Sequence, residues 1–190
     1  MSLSSRLRAW AAGLRRDWKR HIRSLALFAG VLLAVQLWQT RDVAGGPLPG
    51  AALDAPLAVL AGGGARPSSL RAEIAALQAA HPGRNIGLYV WADWCPICKT
   101  IQGTVNGLTQ DHPVITVAMQ SGPPEKVSRY MASRGLAWHT VVDPQSAIPG
   151  ALGFGAVPAF AVITPTGELR WPTVGLTSGW GLRVRLWLAR

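Results

Sequence analysis

The chain holds two cysteines in 190 residues, and they stand three positions apart in Trp94-Cys95-Pro96-Ile97-Cys98. A disulfide across that spacing closes a very small ring, so it constrains little of the unfolded chain and stabilises a fold weakly. Its use is chemical. The residues before it, Leu88-Tyr89-Val90-Trp91-Ala92, are apolar and aromatic and read as a buried strand. A Cys-x-x-Cys pair delivered by a strand to the mouth of a helix meets the needs of thiol–disulfide exchange. There the Cys95 sulfur faces unpaired backbone N–H groups and the positive end of the helix dipole, both of which favour thiolate. Pro96 suits the first turn, where its missing N–H has no partner to lose. Lys99 adds a cation one turn on, and Asp93 opposes it. Cys98, further into the helix, is expected to be the more shielded. Cys95 is then the attacking sulfur and Cys98 the resolving one.

Trp91-Ala92-Asp93-Trp94-Cys95-Pro96-Ile97-Cys98 resembles the active-site segment of thioredoxin-like proteins. A second landmark, Gly155-Ala156-Val157-Pro158-Ala159-Phe160, resembles the segment that carries their cis-proline; Pro158 falls sixty residues after Cys98. The resemblance covers roughly residues 67–190. It implies an α/β, thioredoxin-like fold with a mixed central sheet and helices on both faces. It also implies Cys95 and Cys98 as a redox-active pair, and a substrate-binding rim of Trp94, Pro96, Ile97, Val157 and Pro158. In that rim the Val157 backbone pairs with an extended substrate segment. No cofactor and no metal is implied. Tyr89 stands where many cytoplasmic thioredoxins hold a buried carboxylate; here it reads as core packing, and so does Trp91.

The net charge of +10 raises a nucleic-acid reading, but its distribution argues against one. Residues 1–23 hold seven Lys or Arg against the single acid Asp17, a net of +6, while residues 24–190 hold twelve basic and eight acidic residues, a net of +4. The basic segment abuts an apolar run, so residues 22–38 are predicted to form a transmembrane helix of about 25 Å at 1.5 Å per residue. Arg23 can snorkel outward, and Trp38 suits the opposite interface. The positive flank places the N-terminus in the cytoplasm and the rest of the chain across the membrane. A cleaved signal peptide is the alternative. Leu3, Leu7, Trp10, Leu14 and Trp18 recur at near-helical spacing. Residues 1–23 are therefore either an amphipathic surface helix or an extended basic flank.

Residues 39–66, rich in Gly, Pro and Ala, are expected to be a linker, with Leu57–Leu60 able to add a strand. Beyond them the pattern predicts a helix from Ser68 or Ser69 to Ala80, strands over 86–92, 114–119 and 138–142, and helices over 95–110 and 123–134. A turn of helix near 146–152, a hairpin of 159–164 with 168–174, and a closing helix over 178–190 complete it. His112 and His139 read as surface or packing residues.

A structural zinc site needs four ligands, and no second Cys-x-x-Cys pair or closely spaced His pair accompanies the cysteines. Two thiolates could hold Cu(I), so a metal-tolerance module using them is the rival reading. A redox-inactive membrane scaffold is a third. The resemblance extends to membrane-tethered thioredoxin-like proteins of the TlpA type and of the suppressor-of-copper-sensitivity type. It implies exchange with periplasmic protein thiols or disulfides; direction depends on relative potentials and on coupling to partners, and reductase or isomerase work is the expectation. It further implies a transmembrane electron donor of the DsbD type and a place in the bacterial inner membrane, single pass, with the catalytic domain periplasmic.

Overall fold

The computed structural model describes residues 3–43 and 45–189, with side chains from residue 18 onward. The chain divides into two compact units, residues 1–38 and 39–190.

The first unit lies in one helix, α1 (Leu3–Thr40). Within it Trp18–Thr40, 23 residues, is long and apolar enough to cross a membrane; at 1.5 Å per residue it reaches about 34 Å. The expected span of 22–38 falls inside it. Leu25, Leu27, Phe28 and Leu33 are exposed, as a lipid-facing helix requires. The backbone is helical from Leu3 rather than extended. The side chains of Leu3, Leu7, Trp10 and Leu14, on which an amphipathic reading rests, fall outside the described residues.

The second unit is a mixed eight-stranded sheet with the thioredoxin-like order of elements. Its strands are β1 (Gly46–Pro47), β2 (Leu57–Ala61), β3 (Gly64–Ser68), β4 (Ile86–Trp91), β5 (Val114–Met119), β6 (Thr140–Asp143), β7 (Ala159–Ile163) and β8 (Glu168–Val174), in the order β1-β8-β7-β4-β5-β6-β2-β3. The helices are α2 (Leu70–Ala80), α3 (Pro96–Asp111), α4 (Pro124–Ser133), α5 (Ala147–Leu152) and α6 (Gly179–Leu188). Strand β4 is buried at every residue. The two-residue pleat sends Tyr89 and Trp91 into one core, with α3, α4 and α6, and Leu88 and Val90 into the other, with α2 and α5. At Gly87 any side chain would press on the Phe160 ring, 3.0 Å from a Cβ there, so glycine lets β7 close on β4.

The expected linker of 39–66 is corrected in part: residues 46–47, 57–61 and 64–66 belong to the sheet. Strands β2 and β3 form an antiparallel hairpin that pairs with β6 through Ala58↔Val142 and Leu60↔Thr140. Gly62 and Gly63, read from sequence as looseness, are its two turn residues, with φ of 58° and 82°. Gly46-Pro47 pairs with the edge of β8, a place that tolerates proline. Strand β6 begins at Thr140 rather than at Trp138, whose side chain is core.

Two stability predictions arise from this packing. Gly153 has φ +80°, and a Cβ there would run into the Asp42 carbonyl. Gly153→Ala should therefore destabilise unit two by about 3 kcal/mol or more, read as a lower unfolding midpoint in detergent. Glu73 is 2% exposed, and its Oε2 accepts from Arg66 (2.6 Å) and pairs with His139 Nε2 (2.7 Å), tying β3 and the residue before β6 to α2. Burial alone would raise its pKa, but the bonds from Arg66 and Ser68 and the charge of His139 outweigh burial and hold it below the ordinary value. A depressed carboxyl contributes stability that is complete above its unfolded pKa of about 4.5 and disappears as pH falls through the lower folded value. Glu73→Gln should cost about 2 kcal/mol at pH 7 and less at pH 3, measured by urea unfolding at both.

Candidate active site

Strand β4 ends at Trp91, and the chain turns through Ala92–Cys95, closed by the Cys95 N–H donating to the Ala92 carbonyl (3.3 Å). Cys95 is the N-cap of α3. Its Sγ accepts the Cys98 N–H at 3.1 Å, so the sulfur takes the place that a serine or aspartate oxygen holds in ordinary caps. Pro96 opens the helix as expected. Both cysteines are free thiols. The Cys95 thiol donates to the Val157 carbonyl at 3.6 Å, and the Val157–Pro158 peptide is cis. The two landmarks, sixty residues apart in sequence, therefore meet.

Exposure does not separate the two sulfurs. Cys95 is 3% exposed and Cys98 1%, so both are buried and Cys98 is the more shielded by a small margin only. The Cys98 thiol is pushed up to about 12, first by burial and then by its hydrogen bond with Cys95. The Tyr89 hydroxyl acts on Cys98 in the opposite direction. Tyr89 is 1% exposed, with its ring set edge-on to Trp138 at 5.8 Å; burial drives its phenol far above the ordinary value. Trp91 is packing, as read from sequence: it stacks on Tyr130, meets Trp138 edge-on, and donates Nε1–H to Thr116 Oγ1.

The rim carries the exposed apolar surface. Trp94 is 53% exposed and Ile97 45%, beside exposed Pro96, while Val157 is half-buried. Three residues that sequence reasoning missed brace this rim. The Trp94 Nε1–H donates to the Gln120 carbonyl and the Asp93 N–H to Ser121 Oγ, each at 3.0 Å. Lys126 pairs with Asp93 at 2.7 Å. Gln120 sits at φ +46° to make the turn that carries these contacts. Lys126 is the cation that pairs with Asp93 here. No spacing rule links residues 119–126 to Asp93; the parallel pairing of β4 with β5 brings them together. Among the described residues no group of three or more His, Cys, Asp or Glu could hold a metal ion.

The sheet order and its flanking helices define a thioredoxin-like fold. Solved structures share it: dsbF of MTB aligns at TM-score 0.57, 18% identical over 75% of this chain and 99% of that one. A putative thiol:disulfide interchange protein DsbE from Chlorobium tepidum aligns at 0.58, 16% identical over 77% and 98%. A thioredoxin-like protein solved in its oxidized form in solution aligns at 0.59, 22% identical over 76% and 95%. A curated thioredoxin-like protein of Haemophilus influenzae is 32% identical over 103 residues, which is 54% of this chain and 61% of that protein. The chain thus spans about three fifths of that relative's length. No family model matches the chain.

Proposed function

We propose that this protein is a membrane-tethered thiol–disulfide oxidoreductase that exchanges disulfides with extracytoplasmic, periplasmic proteins. The observation that carries this reading is the Cys95 sulfur at the N-cap of α3, holding the Cys98 N–H on one side and facing the Val157 carbonyl on the other. An oxidoreductase needs a sulfur supported as an anion and a second sulfur within reach of the mixed disulfide.

In the reductive direction the Cys95 thiolate attacks one sulfur of a substrate disulfide, and the other sulfur leaves as a thiolate. Cys98 then loses its proton and attacks the Cys95 sulfur. The Cys95–Cys98 disulfide forms, and the reduced substrate departs carrying the two electrons. Trp94, Pro96, Ile97, Val157 and Pro158 form the rim on which the substrate segment lies; the Val157 carbonyl is freed for it once Cys95 loses its proton. A DsbD-type membrane donor returns the electrons. α1 supplies the tether, with its basic end in the cytoplasm.

Three measurements test this. The reduced full chain in detergent should reduce insulin disulfides; failure to do so, with stoichiometric Cu(I) uptake, replaces the proposal with copper carriage. Equilibration with glutathione should give a potential near thioredoxin's of about −270 mV, whereas one near DsbA's of about −120 mV reverses the direction. An impermeant thiol reagent should label the reduced pair in intact spheroplasts; labelling only after lysis overturns the topology.

A further inference from the structure

Strand β4 delivers a buried hydroxyl to the core that holds Cys98. Tyr89 and Trp91 share the face of the sheet that packs on α3, and Tyr89 belongs to one buried cluster with Cys98, Ile101 and Val105. Its ring is fixed by its neighbours: Trp138 meets it edge-on at 5.8 Å, and Phe160 of β7 is its cross-strand partner. Among the described residues the Tyr89 Oη has no hydrogen-bond partner. Burying an unpartnered hydroxyl destabilises a fold, and a phenylalanine of the same shape would avoid that cost. Packing accounts for the ring and leaves the oxygen unexplained. The side chain on which this oxygen acts is Cys98: burial pushes that thiol up, and the Tyr89 hydroxyl pulls it back.

We propose that the Tyr89 hydroxyl donates to the Cys98 sulfur when that sulfur becomes the resolving thiolate, an inference that rests on the redox reading of the cysteine pair. The release step needs such a donor, because an anion formed in the core is costly unless hydrogen bonds hold it. In that step the Cys98 proton passes to a solvent base and the thiolate attacks the Cys95 sulfur. The Cys95–Cys98 bond forms as the bond from Cys95 to the substrate breaks, and the substrate leaves as a thiolate that takes up a proton. Tyr89 keeps its own proton throughout: burial drives its phenol far above the ordinary value, so it serves as a donor and not as a base. A donor bonds an anion more strongly than a neutral thiol, so the contact gains strength at the moment of release. Two further titratable groups act on these side chains. Cys95, the cap of α3, is bonded to the substrate at that stage and carries no charge. Tyr130 of α4 already accepts from Gln102 at 2.7 Å.

The test follows the reduced full chain in detergent with one equivalent of dithiobis-nitrobenzoate, which yields a coloured thiolate twice. The first release reports attack by Cys95 and the second reports resolution by Cys98. Tyr89→Phe should leave the first phase within about twofold and slow the second about tenfold, the factor carried by one hydrogen bond to an anion. From pH 7 to 9 the variant's release rates should run parallel to the native ones and below them. Equal release rates in native and variant chains overturn the proposal, and so does a variant in which both phases slow together, since that marks disturbed packing. A chain grown on ring-fluorinated tyrosine makes the same test without removing the hydroxyl. Its phenol is the stronger donor, so release should quicken about twofold or more. The chain has two tyrosines, and Tyr130→Phe in the fluorinated chain should keep the gain; no gain, or a gain lost with Tyr130, overturns the assignment to Tyr89. A native chain that never yields the second thiolate removes Cys98 as the resolving sulfur and overturns the proposed function together with this inference.

Discussion

Cys95→Ser should lower disulfide turnover by about 10³-fold or more, to near the uncatalysed rate, while the domain stays folded. A hydroxyl does not ionise near neutral pH, so the variant has no nucleophile to open a substrate disulfide. Its fold should survive because the lost sulfur is also a helix cap, and serine is a strong N-cap residue. Its oxygen can accept the Cys98 N–H that the sulfur now accepts at 3.1 Å. The unfolding midpoint should therefore stay within the range of about 1 kcal/mol. Insulin reduction and thermal unfolding of the same sample make the separation. Residual turnover above a few per cent would mean that Cys98, or neither cysteine, carries the attack.

Cys98→Ser should have the opposite chemical outcome: attack still occurs, release does not, and mixed disulfides through Cys95 accumulate. In the native chain the release step should also depend on pH. The Cys98 thiol is held near 12, first by burial and then by its bond with Cys95. Once Cys95 enters a mixed disulfide, part of that second influence disappears, but burial remains. The resolving sulfur is then mostly protonated at pH 7, and release should speed up about tenfold per pH unit from 7 to 9. Rapid-quench measurement of the adduct's lifetime reads this directly. A flat profile would show that something other than Cys98 ionisation limits release. Iodoacetamide should label Cys95 before Cys98 in the native reduced protein. Since the two differ little in exposure, the raised pKa of Cys98 sets that order.

Much of the fold is legible in the sequence. Ile86–Trp91, Val114–Met119 and the hairpin around Pro165-Thr166-Gly167 are apolar runs bounded by turn residues, and the structure builds strands there. Ser69 caps α2 as its position before Leu70 indicates, accepting the Ala72 N–H. Within 46–68 the strand at Leu57–Leu60 was legible, but the hairpin and the edge strand around it were not, because Gly and Pro mark a tight hairpin turn and an edge strand as readily as a loose linker. Only the pairing of β2 with β6 distinguishes these cases, and it joins residues some eighty positions apart in sequence.

By itself the sequence marked out the candidate site: two thiols at helical spacing, a proline at the first turn, and a second proline landmark set before an apolar strand. Those features are local, and local sterics and helix-end electrostatics read them without help from the rest of the chain. The tertiary structure alone decided what surrounds the sulfurs. It set the near-equal burial of Cys95 and Cys98, the contact of the Cys95 thiol with the Val157 carbonyl, and the brace of Gln120, Ser121 and Lys126 behind Trp94. Each of these comes from strands laid side by side by long-range pairing, and burial and charge at a point in space are sums over every segment that arrives there.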